Sequence, residues 1–261
     1  MASFLDSPYF LFALLLVSAF TMPLIFMVWI RNTARHDREP WKFVVRAFLW
    51  GAVFSVIIAI IFSLVLAATL GQVRPLTEWL ARRIDDPAMI PLVIGAVIVA
   101  PLVEEAAKGL GVRAGRPEIQ RLLDGLVYGA AAGLGFSATE NLFYGINALL
   151  DPNGGATASF IVIAIRSFSS SFLHASSTAV VGYGLAKSWL MHRPWAVLPF
   201  YLIAVTMHAS FNLISVLGEL YSARFGVAAE AFTFGAAVVF ALVAITVVRM
   251  KLASPSRAVS P

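Results

Sequence analysis

The chain contains no cysteine among its 261 residues. Disulfides, thiolate metal sites and a cysteine nucleophile are therefore excluded. Charge is scarce as well: Asp, Glu, Lys and Arg supply 13% of the residues, against 60% that are hydrophobic. With a mean hydropathy of +0.86, the chain lacks the polar surface of a water-soluble domain. That leaves a polytopic membrane protein. No loop is long enough for a soluble domain, and no long-period repeat of the transporter kind is present. The net charge of +5 is no nucleic-acid signal, so no nucleic-acid partner is expected. Its meaning lies in where the positive residues fall.

Seven apolar runs approach the roughly 20 residues a helix needs to cross the hydrocarbon core: 8–30, 43–70, 89–112, 124–149, 157–185, 195–217 and 229–249. The first is too long for a signal-peptide core, and its basic residues follow it. Basic residues collect in every other loop: Arg31, Arg35, Arg38 and Lys42, then Arg113, Arg116 and Arg121, then Lys187 and Arg193, then Arg249, Lys251 and Arg257. The rule that cytoplasmic loops gather Lys and Arg predicts an N-terminus outside and a C-terminus inside. The expectation is an all-α protein of about seven transmembrane helices. Residues 1–253 form a single membrane domain, and 254–261 form a disordered cytoplasmic tail. Thr77-Glu78-Trp79-Leu80 reads as a short interfacial helix.

Polar side chains inside these runs need an explanation, because an ionised group at that depth costs at least ~2.5–3.5 kcal/mol. Glu104 and Glu105 follow an uncharged run from Met89. Helical spacing pairs Glu104 with Lys108 one turn on, and leaves Glu105 without a local partner. Gly125, Gly129 and Gly133 recur every four residues, a close-packing seam. Glu140 lies about two turns past Gly133 and projects from the same side, with Phe136 and Tyr144 a turn to either side. Arg166, Ser170, His174 and Thr178 form one stripe at four-residue spacing, and Arg166 requires an acid, Glu140 or Asp151. His208 and Asn212 share a face of the sixth run. At 1.5 Å per residue, Glu104 lies roughly 12 Å and His208 about 20 Å from the cytoplasmic side, with His174 between them and Glu140 nearer the outer side, so their depths are compatible with convergence on one site.

Taken together, these residues resemble the PrsW family of intramembrane proteases. The resemblance rests on Glu104-Glu105-Ala106-Ala107-Lys108, on Asp124-Gly125 through Gly133 to Glu140-Asn141, on Arg166 with His174, and on His208 through Asn212. It covers about residues 90–215. The family is similar to a superfamily that includes the CAAX prenyl endopeptidases and bacteriocin-processing enzymes. The resemblance implies that the double glutamate, Glu104 and Glu105, supplies a general base for water, and that His208 and Asn212 hold the oxyanion. It also implies a bacterial cell membrane, and membrane proteins such as anti-sigma factors as substrates. This chain departs from the wider superfamily in having Glu140 where a His is typical and no Arg one place beyond Lys108.

The chemistry is consistent with that resemblance. Hydrolysis inside a membrane needs an activated water and donors facing the developing oxyanion. Ser170 and Ser171 lack a nucleophile elbow, and Asp124 is a lone membrane aspartate. The candidate catalytic set is Glu104, Glu105, Glu140, His174, His208 and Asn212, within a core of about residues 89–217. No cofactor or stoichiometric metal is expected, although Glu and His are adequate zinc ligands. An ion- or proton-coupled transporter is the alternative function, and a scaffold locked by polar contacts is a third.

Overall fold

The computed structural model describes residues 7–33 and 38–254. All regular structure among them is helical. In chain order the helical runs are α1 (Pro8–Thr33), α2 (Trp41–Gly71), the short α3 (Arg74–Ala81), α4 (Pro87–Glu118), α5 (Leu122–Leu150), α6 (Ala156–Phe168), α7 (Ser170–Leu190), α8 (Pro194–Phe225) and α9 (Val227–Ala253). Residues 255–261, and with them most of the tail expected to be disordered, lie outside the described residues, as do Arg35 and Arg257.

Six runs are long and apolar enough to cross a bilayer: α1, α2, α4, α6 with α7, α8 and α9. Of the seven expected spans, α5 alone falls outside that set. It is also largely enclosed, with eighteen of its 29 residues buried, and it packs against α1, α2, α4, α6, α7 and α9. A helix sheathed by others needs little lipid-facing surface, so it carries Gly, Ser and Asn where its neighbours carry Leu and Ile.

Glycine sets its two tightest contacts. A Cβ on Gly125, Gly129 or Gly133 would stand 2.1–2.2 Å from the carbonyl oxygens of Gly182, Thr178 and His174, so α7 lies backbone to backbone along the predicted seam. On the opposite face, Gly135 meets the Phe48 carbonyl in the same way. The fifth expected span is met as one apolar run, Ala156–Leu190, carrying one internal break. The helix breaks at Ser169, where the backbone turns to φ −97°, ψ −71°. Its hydroxyl donates to the Ile165 carbonyl four residues back at 3.0 Å, a bond that bends helices. The stripe from Arg166 to Thr178 nonetheless keeps one face across the break, as the contacts below show.

Two π-helical stretches flank the site, Trp50–Ser55 in α2 and Val93–Val99 in α4. Such turns re-aim backbone groups and concentrate at functional sites. The first is tied down by Thr139, which donates to the Ala52 carbonyl at 2.7 Å. Trp50 Nε1 and Ser55 Oγ both donate to the Ala107 carbonyl, at 3.2 and 3.0 Å. Tyr201 donates to the Leu102 carbonyl at 2.7 Å from the other side. These bonds hold the α4 backbone on both flanks of Glu104 and Glu105.

Candidate active site

Glu105 is fully buried and saturated with donors. Its Oε1 accepts from Lys108 Nζ at 2.6 Å, from Ser177 Oγ at 2.9 Å and from His208 Nδ1 at 2.9 Å, and its Oε2 accepts from Thr178 Oγ1 at 2.9 Å. The Glu104–Lys108 pair expected from helical spacing is present, and the expectation that Glu105 has no local partner is corrected. Lys108 lies 3.6 Å from Glu104 but 2.6 Å from Glu105. An i,i+3 partner reaches the ammonium as readily as an i,i+4 one, and here Ser177 and Thr178 of α7 have drawn Glu105 into place.

Lys108 also donates to His174 Nδ1 at 2.9 Å. An ammonium has donors only, so Nδ1 accepts and the imidazole proton sits on Nε2. That nitrogen donates to Glu140 Oε2 at 2.8 Å. Arg166 Nη2 reaches the same oxygen at 2.7 Å, and Arg166 Nε donates to Asn141 Oδ1 at 3.2 Å. Arg166 therefore pairs with Glu140, one of the two acids expected for it. The guanidinium lies over the Tyr144 ring at 3.6 Å and the ammonium over Phe136 at 4.7 Å. A single chain of contacts runs Arg166, Glu140, His174, Lys108, Glu105, His208.

Glu104 stands apart from that chain. Its Oε2 is buried without a hydrogen-bond partner, between Lys108 Nζ at 3.6 Å and His208 Nε2 at 3.8 Å. The two imidazoles, on residues that share a His-Ala-Ser tripeptide, cross edge to face with centroids 4.9 Å apart. Glu104, Glu140, His174, Arg166 and Asn212 line one cavity of about 600 Å³, walled on its far side by α2 and the π-helical part of α4. Asn212 Nδ2 donates to the Ala96 carbonyl of that stretch at 2.7 Å, which leaves its second N–H free of that bond.

All six sequence-derived site residues thus meet at one level of the bundle. Sequence reasoning missed Ser177, which had no signal within the serine-rich run 169–177. It also missed Lys108 as the bridge between His174 and Glu105, because that link is lateral. Thr178 was flagged only as part of the stripe.

One donor atom from each of Glu104, His174 and His208 falls within 4.8 Å of the others. Two imidazoles and a carboxylate are the donor set of a catalytic zinc with one open position. The unpartnered Glu104 oxygen, and the Glu105 carboxylate behind His208 Nδ1, fit that use, since ligating histidines are oriented through their other nitrogen. The residues therefore fit a divalent metal in number and type.

Comparison with known proteins identifies a family. A family profile described as PrsW family intramembrane metalloprotease matches residues 39–248. A protein named Protease PrsW, from Clostridioides difficile (strain 630), is 31% identical over 124 residues, which is 46% of this chain and 46% of that protein. The match thus spans about half the length of the relative. No solved structure matches the chain.

Proposed function

The chain belongs to the PrsW protease family, and from that premise we propose that this multi-pass bacterial membrane protein is an intramembrane endopeptidase in which Glu104 activates the attacking water. The observation that carries the assignment is the contrast between the two adjacent glutamates. Glu105 is already engaged by four donors, three on Oε1 and one on Oε2. Glu104 has an oxygen without a partner and lines the cavity.

In this reading a water bound against Glu104 in the cavity gives up a proton to the carboxylate as its oxygen adds to the scissile carbonyl. The second amide hydrogen of Asn212 and the imidazole of His208 face the oxyanion. Glu104 then returns the proton to the leaving amine. Glu105 is a positioning residue that fixes the His208 ring. Glu140 and His174 act one step further out, by holding Lys108 against Glu105. Substrates are single-span membrane proteins of the anti-sigma-factor kind, unwound at the cavity. In the bilayer α5 is a seventh span, packed among α1, α2, α4, α6, α7 and α9, with the N-terminus outside.

The Glu104, His174 and His208 donor set and the family's description favour a second reading. A divalent ion held there would supply a bound water of lowered pKa and polarise the carbonyl. The metal-free reading is preferred because the Lys108 ammonium already stands 2.9 Å from His174 Nδ1 and 3.6 Å from Glu104 Oε2.

Glu→Gln keeps shape while removing the base. Glu104→Gln should abolish cleavage of a reconstituted membrane substrate with folded yield intact, and His208→Ala should cost ~10²–10³ in rate. Wild-type cleavage by Glu104→Gln sinks the assignment. About one metal per chain, with chelator-sensitive cleavage, replaces the metal-free mechanism by the second reading.

A further inference from the structure

The two neighbouring carboxylates line different cavities. Glu104 lines the one described above, whereas Glu105 is the one carboxylate lining a second cavity of about 350 Å³. This second space lies between the end of α4 and the facing parts of α7 and α8, and the proposed chemistry does not use it. Its walls are mainly apolar, with Val181 and Leu185 on α7 and Leu110 and Leu198 to either side. Leu110 is 43% exposed and Leu198 46% exposed, so the groove is open along its side to whatever surrounds the bundle.

Its charged groups are of one sign apart from Glu105. Arg113 and Arg116, on the 3-10 turn Val112–Glu118 that ends α4, both line it. Arg113 has no hydrogen-bond or ion-pair partner among the described residues. Among the described residues Arg116 has only the Trp189 ring, 5.4 Å from its guanidinium carbon. Trp189 and Tyr201 complete the lining, the residue types that settle at headgroup level. Both arginines belong to a loop that the charge pattern assigns to the cytoplasmic side.

Two unpaired guanidiniums above an apolar, laterally open groove match one kind of molecule: an anionic headgroup on an acyl chain. Basic pockets between transmembrane helices on the cytoplasmic side bind anionic lipid headgroups. We propose that this groove is a binding site for an anionic phospholipid of the cytoplasmic leaflet. The phosphate sits between Arg113 and Arg116 and an acyl chain lies along Leu110, Val181 and Leu198. Glu105 repels the headgroup from deeper entry, so the phosphate stays at the arginines. The bound lipid backs the same carboxylate that positions His208, which couples the composition of the membrane to the catalytic cluster. The site itself stands independently of the protease reading.

The test uses the full chain, purified in neutral detergent and mixed with phosphatidylglycerol and phosphatidylcholine of identical acyl chains. Native mass spectrometry reads the lipid retained. The wild type should retain phosphatidylglycerol preferentially. Arg113→Gln with Arg116→Gln should weaken that retention ~30-fold, at roughly fivefold per basic residue near a headgroup. Arg82→Gln with Arg83→Gln removes the same charge from another loop and should leave retention unchanged. If the first double variant does not accumulate, Arg113→Gln alone, which breaks no contact, should still lose about fivefold. Equal retention of both lipids by the wild type overturns the proposal, as does equal loss in the Arg82 and Arg83 variant. Displacement of the lipid by equimolar inorganic phosphate overturns it too, because the acyl groove would then contribute nothing.

Discussion

Gly133→Ala probes how closely the site depends on the seam between α5 and α7. A Cβ at Gly133 would stand 2.1 Å from the His174 carbonyl oxygen, and ordinary contact begins at 3.4 Å, so α7 must retreat locally by about 1.3 Å. Forcing a methyl into a packed contact costs about 1–3 kcal/mol. The better helix propensity of alanine returns up to about 1 kcal/mol, so a net loss of about 1–2 kcal/mol remains, because the atom met is backbone and cannot rotate aside. Activity should fall as well, through the geometry of the site. The His174 ring is held between Lys108 at 2.9 Å and Glu140 at 2.8 Å, and a shift of that size takes both bonds out of range. Misplacement by about 1 Å costs ~10²-fold in rate. The assay pairs cleavage of a reconstituted substrate with the melting temperature in detergent. Gly235→Ala on α9 serves as the control, since a Cβ there meets no atom within 4 Å. If Gly133→Ala cleaves at the Gly235→Ala rate, the seam does not set the position of His174 and the reasoning fails.

Arg166→Ala leaves Glu140 without its guanidinium inside the bundle, and should cost about 3–5 kcal/mol; normal accumulation of a stable, inactive variant would instead place Arg166 in the chemistry. Burial pushes the Glu39 carboxyl, just before α2, up to about 7, with Asp124 adding to the shift and the Tyr128 hydroxyl opposing it. The folded state therefore holds that proton more tightly than the unfolded one, so the stability it contributes is full below about pH 4.5 and is lost as pH rises through about 7. Glu39→Gln should flatten the fall in melting temperature between those limits, and a slope unchanged from wild type would refute the assignment. Single cysteines at Gln120 and Asn153 should label from opposite faces of the membrane; labelling of both from outside would overturn the seven-span topology.

Much of this site was legible in the sequence because its members sit on helices with strong apolar periodicity. Regular spacing put Gly125, Gly129 and Gly133 on one seam and aimed Glu140 at protein, and both hold in the structure. The pairing of Arg166 with an acid followed from the cost of leaving it alone. Lateral choices were not legible. Whether Lys108 takes Glu104 or Glu105 depends on Ser177 and Thr178, two hydroxyls on another helix. The break at Ser169 depends on a hydroxyl competing for the Ile165 carbonyl, and the π-helical turns on contacts to Ala107 and Ala52. Spacing along one helix cannot report what a second helix offers.

The enclosed position of α5 bears on how the protein is made. A segment with Asp124, Glu140 and five glycines has a weaker claim on the bilayer than its neighbours when it first leaves the ribosome. The backbone that its glycines accept, from His174 to Gly182, is synthesised only afterwards. Stable integration of α5 must therefore wait for α7, either at the translocon or in an exposed interim state. A nascent chain arrested before Ala156 should carry α5 outside the lipid or in the care of an insertase. Mutations in α7 would then be read by the cell first as defects of assembly, before any substrate is met.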